Sequence, residues 1–361
     1  MHSFSCAGKG RCRVVWSNPA RLLPNTVHRT GSGLSTLPRR QAPCQPQFMS
    51  RIGNTLKNHP TESIVVGVDG SAPSRAAIRW SMHRAAATGS SVVLAHIVED
   101  SLTVPPEHIE AKIQQTGNAF LQAELDFAHL VENHVPVTAL LLQGDPLEQL
   151  AAASEHMVMV AVGTHKTGFV QGRVFGSKFI QLAARASSPV AFIPNFATRR
   201  RGGVVVGVGD VTEGQETIRF AAAEAARDGH DLTIVHCWEA PRTTTPRTPE
   251  EQAEATQFAA LLSETVLADA KVVAGQAQPE LSIRVRSVHR PAAEGLIDVS
   301  AAVSLLIIGR SHRNASLPGT VGSTVHDVLL NLGGPTVVIH DTLPIRRRTF
   351  AHKMRDVTAH H

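Results

Sequence analysis

Two Gly-Ser pairs, Gly176-Ser177 and Gly322-Ser323, stand a short loop beyond apolar runs that end in glycine, MVMVAVG at 157–163 and SLLIIG at 304–309. The first helical turn has unpaired backbone N–H groups and the positive end of the helix dipole, so a Gly-Ser there can cradle phosphate. Gly176 lacks the Cβ that would hinder close approach, the Ser177 hydroxyl adds a donor, and Gly163 lets backbone pass close to a ribose or phosphate. A carboxylate, Asp69, follows another apolar run, IVVGV at 64–68. A Gly-Ser cap and a turn aspartate are also ordinary local structure, so each residue alone is a weak signal. The chain has no G-x-x-x-x-G-K-[ST] loop, no nucleophile beside a base and no paired carboxylates set for acid–base work. Binding, not catalysis, is the expected chemistry. The 19 histidines are scattered, and His96 and His236, in register, read as a repeated packing position.

The positioning elements occur twice. SIVVGVDGSAPSRAAIRW at 63–80 matches GVVVGVGDVTEGQETIRF at 203–220, and an offset of 140 relates Gly89 to Gly229 and His96 to His236. Further along, an offset of 146 relates Gly163 to Gly309 and Gly176 to Gly322, so the second copy holds a few extra loop residues. The spacing predicts strands at 64–68, 91–98, 137–143, 157–163 and 189–194, then near 203–208, 232–237, 283–288, 304–309 and 335–340. Helices lie between them, one long over about 107–134, one short after Pro146 and one from Ser177. Ser71 is the expected cap of the first helix, with Pro73 in its first turn and Gly89 ending it in the left-handed conformation. Continuous apolar strands alternating with helices imply α/β architecture: two tandem doubly wound domains, each with a five-stranded parallel sheet. Ligands of such sheets bind beyond the strand carboxyl ends, where strand order reverses.

Composition narrows the partners. The chain has 361 residues and a formal charge of +5, but residues 1–60 hold nine Lys or Arg without an acid, and 343–361 hold five against one. The remaining body has 21 basic and 29 acidic residues, about −8, which argues against nucleic acid as partner. No apolar run suits a membrane span. Three of four cysteines lie in the first 44 residues and none forms a CxxC or a Cys/His metal pattern, which fits a reducing cytoplasm. Residues 1–60 read as a disordered N-terminal extension, because the first 48 have no helical or strand period. A transit peptide fits that Arg-rich stretch, but an upstream extension before Met49 is the favoured reading.

Together, IVVGVDGSAPSRAAIRW, the strand carrying AHIV, QGDP at 143–146 and VGTHKTGFVQGRVFGS at 162–177 resemble the universal stress protein family, and the tandem arrangement is similar to its actinobacterial two-domain members. The resemblance implies an adenine nucleotide α-hydrolase-like fold over 61–197 and again over 202–342, followed by a basic tail at 343–361. ATP-binding members have G-x2-G-x9-G-[ST] in the last loop and an acidic residue after the first strand. That implies ATP, alone or with Mg2+, in the first domain. Val68 and Asp69 would hold the adenine or ribose side and Ile97 would pack on the base. Val162, Gly163 and His165 would line the loop, and Gly176, Ser177 and Lys178 would hold phosphates. Lys166 replaces the middle glycine of the pattern, two residues before Gly168. In the second domain Gly309, Gly322 and Ser323 persist, but His312 replaces the middle glycine and Gly209-Asp210 inverts the Asp69-Gly70 order, so a weaker second site is implied. The implied function is an ATP-binding stress sensor or regulator with an unknown protein partner. The two domains would pair through PVAFIP and PTVVIH, and a homodimer stays open. The alternative is a protein-interaction scaffold whose loops bind no nucleotide.

A chain trimmed to residues 61–342, with its charge of about −8, is expected to show no sequence-dependent DNA binding in a gel-shift titration at low salt. Tight, sequence-selective retention would contradict the exclusion of nucleic acid.

Overall fold

The β-branched runs form strands buried on both faces. The computed structural model of the protein describes residues 62–99, 109–164, 176–195, 202–240, 248–301, 303–310 and 320–340; the N-terminal extension and the basic tail lie outside them. The first copy runs β1 (Ser63–Gly67), α1 (Ala72–Thr88), β2 (Ser91–Val98), α2 (Ile109–Val131), β3 (Val137–Gln143), α3 (Pro146–Ala153), β4 (Met159–Thr164), α4 (Gly176–Arg185) and β5 (Val190–Pro194). The second repeats the order as β6 (Val204–Gly207), α5 (Val211–Arg227), β7 (Leu232–Trp238), α6 (Pro249–Ala277), β8 (Ile283–His289), α7 (Ala292–Ser300), β9 (Leu305–Gly309), α8 (Ser323–Leu330) and β10 (Thr336–Ile339).

Local chemistry sets the joints. The Ser71 side chain accepts from Ser74 N at 3.2 Å, Pro73 sits in the first turn where no N–H is needed, and Gly89 ends α1 at φ 68°. Asp145 of the QGDP turn caps α3 by accepting from Leu147 N and Glu148 N at 2.9 and 3.0 Å. The long α6 starts with a reciprocal capping box between Thr248 and Glu251.

The strands form one ten-stranded sheet, ordered β3-β2-β1-β4-β5-β10-β9-β6-β7-β8. Every neighbouring pair within a copy is parallel. The copies join through the antiparallel pair β5–β10, with Thr336, Val337 and Val338 opposite Phe192, Ala191 and Val190. The five-stranded sheets expected from the sequence are therefore the halves of one continuous sheet. Helices α1, α2, α5 and α6 cover one face, packing Ile78, Met82, Ile218 and Leu267 against Ile64, Val66 and Ile307. Helices α3, α4, α7 and α8 cover the other, packing Leu150, Leu182, Leu296 and Val328 against Val65, Phe192 and Val338. Fully burying each such side chain contributes about 1.5–3 kcal/mol.

In each half the chain builds outward from its first strand, then returns to that strand's other side. Gly67 consequently lies beside Ala95 of β2 and Val162 of β4. This is the switch point of the first half, and it is closed on one side by α1. A Cβ added to Gly163, near the end of β4, would come within 2.1 Å of Pro73 C and 2.4 Å of Ser74 N. That glycine is required by helix packing, whatever a ligand requires.

Gly163→Ala is therefore expected to destabilise the protein by about 1–3 kcal/mol or more, because the obstructing atoms are helix backbone that cannot turn aside. Urea unfolding checks it; an unchanged midpoint would show that α1 is not held against β4.

Candidate functional site

The end of β1 is fixed by several hydrogen bonds. Val68 lies just past the strand with its side chain buried; its N donates to Ala95 O and its carbonyl accepts from His96 Nδ1, both at 2.9 Å. The His96 ring packs on Phe120 with centroids 4.4 Å apart. His96 therefore serves packing, as its repetition implies. Asp69 is exposed, and its Oδ1 accepts from Ser71 N at 2.9 Å, so the carboxylate is oriented by the turn it stabilises. Gly70 follows at φ +77°, where a side chain would be strained and a Cβ would meet Phe120 at 3.0 Å.

Register sets β1 and β4 side by side, so Val68 and Asp69 leave the sheet next to Gly163. Val162, paired with Gly67, is buried in the core of the second face. Ile97, on β2, is half-buried and packs on the core of the second face. Helix α4 begins at Gly176, so Ser177 and Lys178 lie in its first turn. Lys178 Nζ lies 3.5 Å from Glu99 Oε1, an exposed pair that links this helix start to the end of β2. Exposed pairs of this kind contribute little stability and yield readily to another anion. The loop with His165, Lys166 and Gly168 lies outside the described residues.

Two residues join this set without having been singled out in the sequence. Glu99 partners Lys178, and Thr164, the last residue of β4, is 1% exposed with no hydrogen-bond partner for its hydroxyl among the described residues. A buried hydroxyl left unmade is costly, and this one sits at the switch point. Its signal was available: a polar residue closing an otherwise apolar parallel strand.

The second copy has the same sheet geometry and different chemistry. Gly207 lies beside Val235 and Ile308, so Gly209 and Gly309 mark the equivalent switch point. There Asp210 is the N-cap of α5, its side chain accepting from Thr212 N at 2.8 Å. The inverted order thus recruits the carboxylate as a helix cap, where the first copy uses Ser71. Gly322 precedes α8 without a side-chain cap, and Ser323 opens that helix. His236 differs from His96 in its partner: its Nδ1 lies 2.9 Å from Ser263 Oγ, and that hydroxyl is 2.8 Å from Ser287 Oγ. Burial holds the His236 pKa below the ordinary histidine value. Burial also pushes the neighbouring Cys237 thiol up to about 11, with Arg286 opposing, so it is an unreactive thiol.

Residues 60–194 and 202–340 each match the Universal stress protein family. The chain belongs to that family. Universal stress protein Rv1996 from Mycobacterium tuberculosis is 27% identical over 306 residues, spanning 76% of this chain and 94% of that protein. Universal stress protein Rv2623 from the same organism is 26% identical over 295 residues, spanning 78% and 97%. These relatives extend across both halves, so the protein is a tandem-domain universal stress protein. A crystal structure of a universal stress protein from Archaeoglobus fulgidus shares the fold at 13% identity, with a TM-score of 0.55 over 78% of this chain and 98% of that one. Among the described residues of this universal stress protein, no helix is long and apolar enough to cross a membrane.

Proposed function

We propose that this universal stress protein binds ATP, alone or with Mg2+, at the switch point of its first half. Binding would serve a sensing or regulatory role under stress in the cytoplasm, with no turnover of the nucleotide. The observation that carries this reading is the placement of Asp69. Its carboxylate is exposed, oriented by Ser71 N, and set beside β4, whose following loop leads to the start of α4. A carboxylate at one end suits ribose hydroxyls or the adenine amine, and a helix N-terminus at the other suits phosphate. Ile97, half-buried at the end of β2, offers an apolar surface to the base. Lys178 supplies an exposed cation whose partner among the described residues is an equally exposed carboxylate, Glu99. The buried Thr164 hydroxyl, unpartnered among the described residues, is a further hydrogen-bonding group beside the same crevice.

The contrast between the halves supports placing the nucleotide mainly in the first. In the second half the carboxylate stands one residue later, at Asp210, where it caps α5, and Gly209 occupies the place of Asp69. Gly309, Gly322 and Ser323 would then form a weaker phosphate site without an adenine-side anchor. The other reading, a scaffold that binds protein and no nucleotide, draws on the exposed Phe258, Leu261 and Leu262 of α6.

Calorimetric titration with ATP separates these readings. Asp69→Ala is expected to weaken binding about tenfold to a hundredfold, the loss of a charge-assisted hydrogen bond worth roughly 1.5–3 kcal/mol. Gly176→Val, with a branched side chain where phosphate must meet backbone N–H groups, should cost at least as much, whereas Gly322→Val should cost little. Loss of binding in Gly322→Val but not in Gly176→Val would place the working site in the other half. No heat from the unsubstituted chain would favour the scaffold.

A further inference from the structure

The two halves meet through side chains that are counterparts of one another. Arg84 of α1 forms an ion pair with Glu224 of α5, and these positions are separated by 140, the offset that relates the two copies at this point. Trp80 and Phe220 are related by the same offset, and the Arg84 guanidinium lies 5.7 Å from one ring centroid and 5.6 Å from the other. The junction therefore brings one position of the repeat against its own counterpart, walled by a second such pair. Side-chain exposure is 11% for Arg84 and 4% for Glu224. The other Glu224 oxygen accepts from Arg227 at 2.7 Å, and Arg227 also pairs with Asp228 at 2.8 Å. Ala87, the counterpart of Arg227, has no charge to contribute.

We infer that Arg84 and Glu224 specify which half pairs with which, so that the first half fits the second half and rejects a second copy of itself. In two-fold pairing, a residue near the axis meets its own copy. A first half joined to another first half through the same surface would set Arg84 against Arg84 between aromatic rings, with no carboxylate to satisfy either. A second half joined to another second half would leave each Glu224 with Arg227 alone. Opposite charges at counterpart positions remove the conflict only in the mixed pair. Discrimination of this kind works by penalising the wrong partner as much as by rewarding the right one. The backbone ladder between β5 and β10 cannot discriminate, because it is indifferent to which half supplies each strand.

The test uses full-length chains. Arg84→Glu and Glu224→Arg each create a buried like-charge pair and are expected to lower the thermal midpoint by about 6 °C or more. The chain with both changes should lie several degrees above the sum of the two losses, short of the parent because Arg227 then faces a cation in place of Glu224. A double variant as unstable as the sum of the singles would overturn the inference. The chain carrying Arg84→Met and Glu224→Met keeps the packing without the charges, and should stay folded. When equal amounts of two differently tagged copies are unfolded together and refolded, particles bearing both tags should be several-fold more abundant for the double-Met chain than for the parent. Equal fractions would show that the pair does not govern partner choice.

Discussion

The antiparallel contact between β5 and β10 is the constraint on which the rest of this molecule depends. Each half of the sheet ends on a short strand whose residues are all buried, Val190–Pro194 in one and Thr336–Ile339 in the other. An apolar strand with unpaired N–H and C=O groups is a template for aggregation, and each of these covers the other. Once they pair, the cores on both faces run through the two copies. The helices that flank the seam must then meet their own counterparts, α1 with α5 and α4 with α8. Arg310, just past β9, extends the seam by donating to Ala184 O on α4. The copy-one residue in its place, Thr164, makes no such reach, so the seam itself is asymmetric.

That asymmetry extends to the two switch points. The same parallel register creates both, and small changes in the turn decide what each can hold. In the first copy Ser71 caps the helix, leaving Asp69 exposed at the strand end; in the second, Asp210 is the cap. A duplicated domain can thus keep a strand order while one shifted carboxylate changes what stands at the strand end. The fold imposes the crevice, and the side chains around it decide its chemistry.

Much of the architecture was legible in the sequence because it rests on local rules. Buried parallel strands read as continuous apolar runs, Gly89 marked a left-handed helix end, and the final strand of each copy was the expected seam. The candidate site was legible as positions more than as contacts. The sequence presented Gly163 as a place where the chain's backbone passes close to a ribose or phosphate, but the space its Cβ would fill belongs to Pro73 and Ser74 of α1, a closeness that strand periodicity cannot reveal. Glu99 and Lys178 are 79 residues apart, and Arg84 and Glu224 are 140 apart; each looks like an ordinary surface charge until topology brings its partner near. The Asp210 cap was hidden for a different reason, since inverting two turn residues leaves composition unchanged while moving the helix start by one residue.

The central claim is that one half of this tandem protein holds an adenine nucleotide. Its most direct test is to purify the full chain from cells without added nucleotide, denature it, and quantify what is released by chromatography and mass spectrometry. The account predicts adenine nucleotide, chiefly ATP, at up to about one equivalent per chain, retained by Gly322→Val and lost from Gly176→Val. Protein that releases no nucleotide, and that takes up none when incubated with millimolar ATP, would contradict it.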